Sequence, residues 1–444
     1  MARYPARESG IGMTVEVEAR PRSAHRDGLL RRLGSRIGWN ICDQALSSLT
    51  NAALSILIAR AVDQNAFGAF ALCFTIYSVV VGVSRGLVSD PLTVRYGDAS
   101  VRNYHQARRA AAGSALLAGL AVGLALFAFA QMQSEAVREP LVALALCMPG
   151  LLLQDAIRFS FITEGKPRRA AANDLVWALL QFAAVAWLLL DDTSSAGPFV
   201  LAWGGAAVGA ALYGIAQTRA VPAFRSALRW AKQHTDLSRF LVAEYLTSLG
   251  ALQVALIIIG AIAGVEAVGA LRGAAVVLGP LNILTFGAFA FSVPELVRRR
   301  TLPLRRHVQL AGLISGTLVL AVALWSALML VLPTSVGVEL LGDTWHDARS
   351  VLAPTALLIA GIAACLGPIC VLRAFGAVRA SFLVSLLVAT LLVGLGTLGV
   401  VVDDARGAAV GFAIAQWAGV PVVWIVMVKA VRARQAPALE AAHT

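Results

Sequence analysis

Asp43, Ser47, Asn51 and Ser55 follow one another at intervals of four residues, with Gln44 and Ser48 beside them, inside an otherwise apolar run. That spacing sets all four on one face of a helix. Hydroxyl, amide and carboxylate groups in such a setting can bond neighbouring helices. They can also line a wet cavity and exchange hydrogen bonds with a polar ligand. The regularity of the stripe favours the cavity. A second set, Asn173, Trp177 and Gln181 beside Asp174, repeats the pattern further along. Glu244, Thr247, Ser248 and Gln253 form a third, and Arg272, Asn282 and Thr285 a fourth.

Four arginines lie within or beside apolar runs: Arg60, Arg85, Arg158 and Arg272. A charge at the centre of a bilayer costs about 2.5–3.5 kcal/mol on insertion scales, whereas one near a helix end snorkels to water at far lower cost. Snorkelling and local pairing are the plain explanations. Asp155 stands three residues before Arg158, close enough along a helix to neutralise it. The functional alternative is a cationic vestibule for a phosphate-bearing substrate, since guanidinium forks match phosphate oxygens.

Other chemistries are absent. No G-x-x-x-x-G-K-[ST] occurs, and "EGKP" at 164–167 does not qualify, so no ATP site is expected. No histidine falls in an apolar run, which argues against a histidine proton relay. The five cysteines have no metal or redox spacing and read as small apolar filler. The Asp191–Asp192 and Asp403–Asp404 pairs read as solvated loop charges and not as catalytic carboxylates. No enzyme activity, cofactor or metal is expected.

The elements that must position these groups are membrane spans. Hydrophobic residues make up 58% of the 444 and charged residues 14%, against about 25% charged in a soluble domain; mean hydropathy is +0.75. Twelve apolar runs of membrane-crossing length appear, at roughly 38–60, 66–88, 108–131, 140–162, 170–190, 197–218, 239–263, 267–293, 308–333, 350–373, 378–402 and 407–430. Alternate connections are basic: 30 of the 37 Lys and Arg residues fall on one side. The positive-inside rule then predicts both termini in the cytoplasm. The formal charge of +12 follows from that bias and calls for no nucleic-acid partner. The expected class is an all-α polytopic membrane protein.

The chain also repeats itself. "SDPLTVR" at 89–95 returns as "SVPELVR" at 292–298, each closing the second span of a set of six. "FGAF" at 67–70 matches "VGAL" at 268–271, and Gly165-x-x-Arg168 matches Gly376-x-x-Arg379. An even number of spans per copy gives two parallel six-helix bundles. The expected organisation is a basic cytoplasmic tail (1–37), a first lobe (38–218), an interfacial linker helix (219–238), a second lobe (239–430) and a short cytoplasmic tail (431–444). The proline of the repeated phrase is expected to end its span.

Several stretches, "RGLVSDPLTVRYG" at 85–97, "LQDAIRFSFITEGKPRRAAANDLVWALLQ" at 153–181, "LRGAAVVLGPLNIL" at 271–284 and "ELLGDTWHDARSVL" at 339–352, resemble the polysaccharide-exporting branch of the multidrug/oligosaccharidyl-lipid/polysaccharide (MOP) flippase superfamily. This branch includes the O-antigen and teichoic-acid exporters. The resemblance covers residues 35–430. It implies alternating access in a bacterial cytoplasmic membrane, carrying a polyprenyl-diphosphate-linked oligosaccharide for surface-polysaccharide synthesis. Glycosyltransferases and a polymerase of the same pathway would be its partners. Arg60, Arg85, Arg158 and Arg272 would then meet the diphosphate, and Asp43, Ser47, Asn51, Gln181, Gln253 and Asn282 the sugars. A cation-coupled multidrug antiporter using Asp43, Asp155, Asp174 or Glu244 is the rival on the same architecture. A membrane polymerase using Asp191 or Asp403 is the more distant one.

Overall fold

A computed structural model describes residues 49–96 and 101–443. Among them there is helix and no strand. The first lobe comprises α1 (Leu49–Ala61), α2 (Gln64–Tyr96), α3 (Val101–Ala130), α4 (Glu135–Thr163), α5 (Pro167–Leu190) and α6 (Ala196–Thr218). Next comes α7 (227–263), which reverses into α8 (265–298) at Gly264, whose φ of 84° and ψ of 178° leave helical space. Gly260 lies against Val268 across that reversal. The helices α9 (Leu304–Val331), the short Thr334–Leu341 and α10 (Thr344–Ala374) follow. Finally α11 (378–402) and α12 (405–443) form a hairpin broken at Asp403 and Asp404. Gly399 against Gly407 and Gly396 against Phe412 show its two arms running antiparallel. The protein is a multi-pass membrane protein.

The duplication is visible in backbone detail. Gly165 and Gly376 both take positive φ, 73° and 66°. Each donates its N–H to the residue three before it, and the following residue donates to the one five before. This is the same helix-ending cap at the same point of each lobe. The outer turns after α5 and α11 match too, since Asp192 (φ 51°) and Asp404 (φ 39°) both sit in the left-handed region. The two aspartate pairs are thus turn-makers; Asp is one of the few side chains that tolerates this backbone.

Two expectations change. The proline of the repeated phrase does not end its span. α2 widens into a π-turn at Arg85–Ser89 and runs through Pro91 to Tyr96. Pro91 lacks the N–H that would meet the Leu87 carbonyl. That carbonyl instead accepts from Trp230 Nε1 (3.3 Å) and Ser238 Oγ (3.5 Å) of α7. The linker is likewise not a helix separate from the spans. Its helix from Ala227 continues through a second π-turn, Leu246–Gly250, into the seventh span, with Trp230 buried against α2. α9 also starts before its apolar run, so His307 lies in its first turn, buried beside Phe375.

The lobes meet along α2 and α7–α8. At the end opposite the arginine-rich face, Gly68 and Gly269, the glycines of "FGAF" and "VGAL", touch backbone to backbone. A Cβ on Gly68 would stand 2.1 Å from the Val265 carbonyl oxygen, so no larger residue fits the seam as built. Beside it, Gly342 (φ 60°) abuts the carbonyl of Ala59, and Trp345 is fully buried in the core of the first lobe.

Candidate functional site

A polar pocket of about 150 Å³ lies inside the first lobe. Five helices wall it: Thr50 and Asn51 from α1; Phe74, Tyr77, Val81 and Arg85 from α2; Gln154, Asp155 and Arg158 from α4; Asp174, Trp177, Ala178 and Gln181 from α5; and Trp203 from α6. The π-turn places Arg85 at its start, where the guanidinium reaches Asp155 (Nη2–Oδ1 2.6 Å, Nε to both oxygens 3.1 Å). Arg158 reaches across to Asp174 on α5 (Nε–Oδ2 2.6 Å). The carboxylate of Asp155 is therefore gripped from α2, while its sequence neighbour Arg158 turns to another helix. Side-chain packing between helices, invisible in local spacing, decides the pairing.

Gln154 Nε2 donates to Asn173 Oδ1 (3.0 Å) and Asp174 Oδ1 (3.3 Å), and Asn173 Nδ2 donates to the Ala210 carbonyl (2.7 Å). Trp177 Nε1 donates to the Trp203 carbonyl (3.0 Å), and the two indoles pack with Phe74 and Tyr77 along the pocket lining. Two buried polar atoms on this wall, Gln154 Oε1 and Trp203 Nε1, have no partner among the described residues. Buried groups normally have one, so the pocket holds spare hydrogen-bonding capacity.

Arg272 approaches from the second lobe. Its guanidinium carbon lies 4.1 Å from the centroid of the Phe74 ring, and its Nε is buried without a hydrogen-bond partner among the described residues. Phe74 is itself part of the pocket lining. Arg85 and Arg158 are balanced by Asp155 and Asp174, so Arg272 tips the local charge positive.

The structure thus brings Asn51, Arg85, Arg158 and Gln181 to one pocket, with Arg272 one ring away. Asp43 and Ser47 lie outside the described residues. Ser55, the fourth member of the stripe, is buried and donates to the Asn51 carbonyl at 2.8 Å. Arg60 is exposed at the end of α1, Gln253 is half-buried in α7, and Asn282 is exposed beyond the Leu278–Gly279 break of α8; none of the three lines the pocket. Sequence reasoning missed Gln154, Phe74, Tyr77 and Trp203. Gln154, the one polar amide beside Asp155 in an apolar stretch, was the available signal.

Solved transporters share this architecture. An inward-facing multidrug resistance MATE family transporter of the MOP superfamily superposes with a TM-score of 0.69 at 14% identity, over 87% of this chain and 94% of that one. The chain has the fold of the MATE transporters. The outward-facing form of such a transporter gives 0.56 at 14% identity, over 90% and 96%. A MOP superfamily transporter from Pyrococcus furiosus, described as having a binding pocket of reversed polarity, gives 0.51 at 13% identity, over 90% and 95%. No protein-family model matches the sequence. No curated protein matches it either.

Proposed function

We propose that this MATE-fold chain is an alternating-access flippase for an amphipathic anion, a polyprenyl-diphosphate-linked oligosaccharide, in a bacterial cytoplasmic membrane. The observation that carries the reading is Arg272, a buried guanidinium without a carboxylate partner among the described residues, poised beside a pocket of amides and indoles. A sugar-diphosphate headgroup cannot enter hydrocarbon without replacement of its water. Arg272 supplies the charge for phosphate, with Arg85 and Arg158 released toward it as their carboxylates are displaced. Asn51, Gln181 and Gln154 supply hydrogen bonds for hydroxyls, and Trp177 and Trp203 supply faces for sugar rings. Asp43 and Ser47 extend the same stripe. The polyprenyl tail stays in lipid outside the bundle. Movement draws on a gradient or on removal of the product by the polymerase and glycosyltransferases of its pathway.

The multidrug names of several structural neighbours keep a cation antiporter as the second reading. Such a transporter needs a carboxylate open to exchange between a cation and its substrate. Here Asp155 and Asp174 are each held by an arginine at 2.6 Å and Glu244 by Arg373 at 3.1 Å, which favours the anionic cargo; the fourth candidate carboxylate, Asp43, lies outside the described residues.

The test is reconstitution of the chain alone in vesicles with a fluorescent polyprenyl-diphosphate oligosaccharide. Arg272→Ala removes a charge-assisted bond and should slow translocation about tenfold or more, while Arg272→Lys retains part of the rate. Unchanged flipping in Arg272→Ala overturns the assignment. Dye efflux abolished by Asp174→Asn, with no lipid movement, would establish the antiporter instead.

A further inference from the structure

A second polar concavity lies on the arginine-rich face, away from the pocket above. It is a groove of about 720 Å³ between the end of α2 and the starts of α3 and α7. Its lining carries Arg95, Arg109 and Arg229, with Asn103, Gln106, Ser226 and Gln233 as further polar groups and no acidic residue among those described. Arg225 lines an adjoining hollow shared with Arg229. The floor is rigid: Tyr96 stacks on Trp230 (ring centroids 5.8 Å) and Trp230 on His234 (4.1 Å).

The cations differ in what they already do. Arg95 is committed to Asp236 and to the Gln233 carbonyl, and Arg109 donates to the Val221 carbonyl. Those bonds hold the linker on the first lobe. Arg225 and Arg229 are exposed and make no ion pair among the described residues. Beside them the same segment exposes Val221, Phe224 and Leu228, at 63%, 47% and 77% of their full surface. Phe224 and Leu228 stand four residues apart, with Arg225 and Arg229 following each in sequence.

Exposed apolar side chains alternating with unpaired guanidinium groups at the basic end of a membrane bundle match one ligand chemistry. That ligand carries a phosphate anion at the headgroup level and acyl chains beside it. We propose that this groove, together with the adjoining hollow and the exposed apolar side chains beside it, is a binding site for an anionic phospholipid of the cytoplasmic leaflet. The phosphodiester sits over Arg225 and Arg229, and the acyl chains lie along Val221, Phe224 and Leu228. Because α7 continues into the seventh span, a lipid bound here joins the linker to α2 and α3 and fixes the second lobe's entry helix against the first lobe. A soluble phosphate ligand lacks the acyl half of the match.

The test uses the full-length chain, purified in detergent and stripped of lipid, and native mass spectrometry with added phosphatidylglycerol or phosphatidylcholine. Retention of phosphatidylglycerol, with phosphatidylcholine retained at least about tenfold less, is expected. The double variant Arg225→Ala/Arg229→Ala should lose that preference, and added salt should weaken it. Both residues are exposed, and an unchanged helical circular-dichroism spectrum will confirm that the variant is folded. Equal retention of the two lipids, or a phosphatidylglycerol preference that survives in the variant, overturns the proposal. So does inorganic phosphate competing as well as the lipid, since that places the site outside the acyl layer. This test does not depend on the cargo in the first-lobe pocket.

Discussion

The two lobes share a fold but differ in what fills the same place. Gly165 and Gly376, with their identical caps, put the α4–α5 hairpin of the first lobe in register with the α10–α11 hairpin of the second. In that register Gln154, Asp155 and Arg158 stand against Cys365, Leu366 and Ile369. Asp174, Trp177 and Gln181 stand against Ser385, Val388 and Leu392. Cys365, Leu366 and Leu392 are buried in the second lobe's hydrophobic core, with Ile369 and Val388 packed on it. One copy of the lobe keeps a polar, charged pocket, and the other sets mostly apolar side chains at the same places. The second lobe's contribution to the site is instead a single cation, Arg272, delivered across the seam. Within a shared two-lobed frame, one lobe carries the polar pocket and the other carries apolar side chains at the matching positions.

Exchanging residues between the registered hairpins should break this division most sharply. Asp155→Leu imports the second-lobe residue and strips Arg85 of its partner. Removing one member of a buried pair costs roughly 3–5 kcal/mol, and the partial exposure of Arg85, 38% of its side chain, places the expected loss near the low end. Thermal unfolding in detergent measures it, and Arg85→Leu in the same chain should recover part of the loss. An unshifted midpoint in the single variant would mean that the ion pair does not hold the lobe together.

The seam sharpens the comparison at a smaller scale, because its glycines are matched in sequence but not in space. A Cβ on Gly68 meets the Val265 carbonyl oxygen at 2.1 Å, whereas one on Gly269 meets Gly68 Cα at 3.1 Å. Gly68→Ala should therefore part the lobes at this end, at about 1–3 kcal/mol, and Gly269→Ala should cost less than that. Distances between spin labels across the seam should lengthen in the first variant more than in the second. The reverse order would contradict the packing described.

The smallest effect should be symmetric. Gly165→Ala and Gly376→Ala each force a side chain into a left-handed backbone, at about 1 kcal/mol apiece. Unfolding of the two variants should shift equally. A lobe indifferent to its alanine would show that the two caps are not equivalent.

Much of this frame was legible in the sequence, and the reasons are physical. Span positions follow from apolar runs, because hydrocarbon demands them. The reversals at Gly264 and at Asp403–Asp404 fall between the seventh and eighth and the eleventh and twelfth runs. The repeated Gly-x-x-Arg marked a true structural repeat, since a left-handed cap admits few residue types. Pairing was not legible. Arg85 and Asp155 are 70 residues apart, so only helix packing makes them neighbours, and the three-residue spacing of Asp155 and Arg158 pointed elsewhere. The fate of Pro91 was likewise hidden, because the acceptors it frees are satisfied by α7 from a distant part of the chain. Of the candidate cavity residues, those on the inward faces of α1, α2, α4 and α5 converge. Arg60, Gln253 and Asn282 do not, since polarity alone does not say which way a helix faces.

The most direct measurement of the wet-lobe, dry-lobe division uses two alanines in register, Ala178 on the pocket wall and Ala389, buried on the matching helix of the second lobe. Each is replaced by cysteine in a chain whose five native cysteines have been changed to alanine, and each is exposed to a membrane-impermeant thiol reagent in open membranes. Ala178→Cys should react readily and be protected by a polyprenyl-diphosphate oligosaccharide, while Ala389→Cys should stay unreactive. Equal labelling of the two, or faster labelling of Ala389→Cys, would contradict the account.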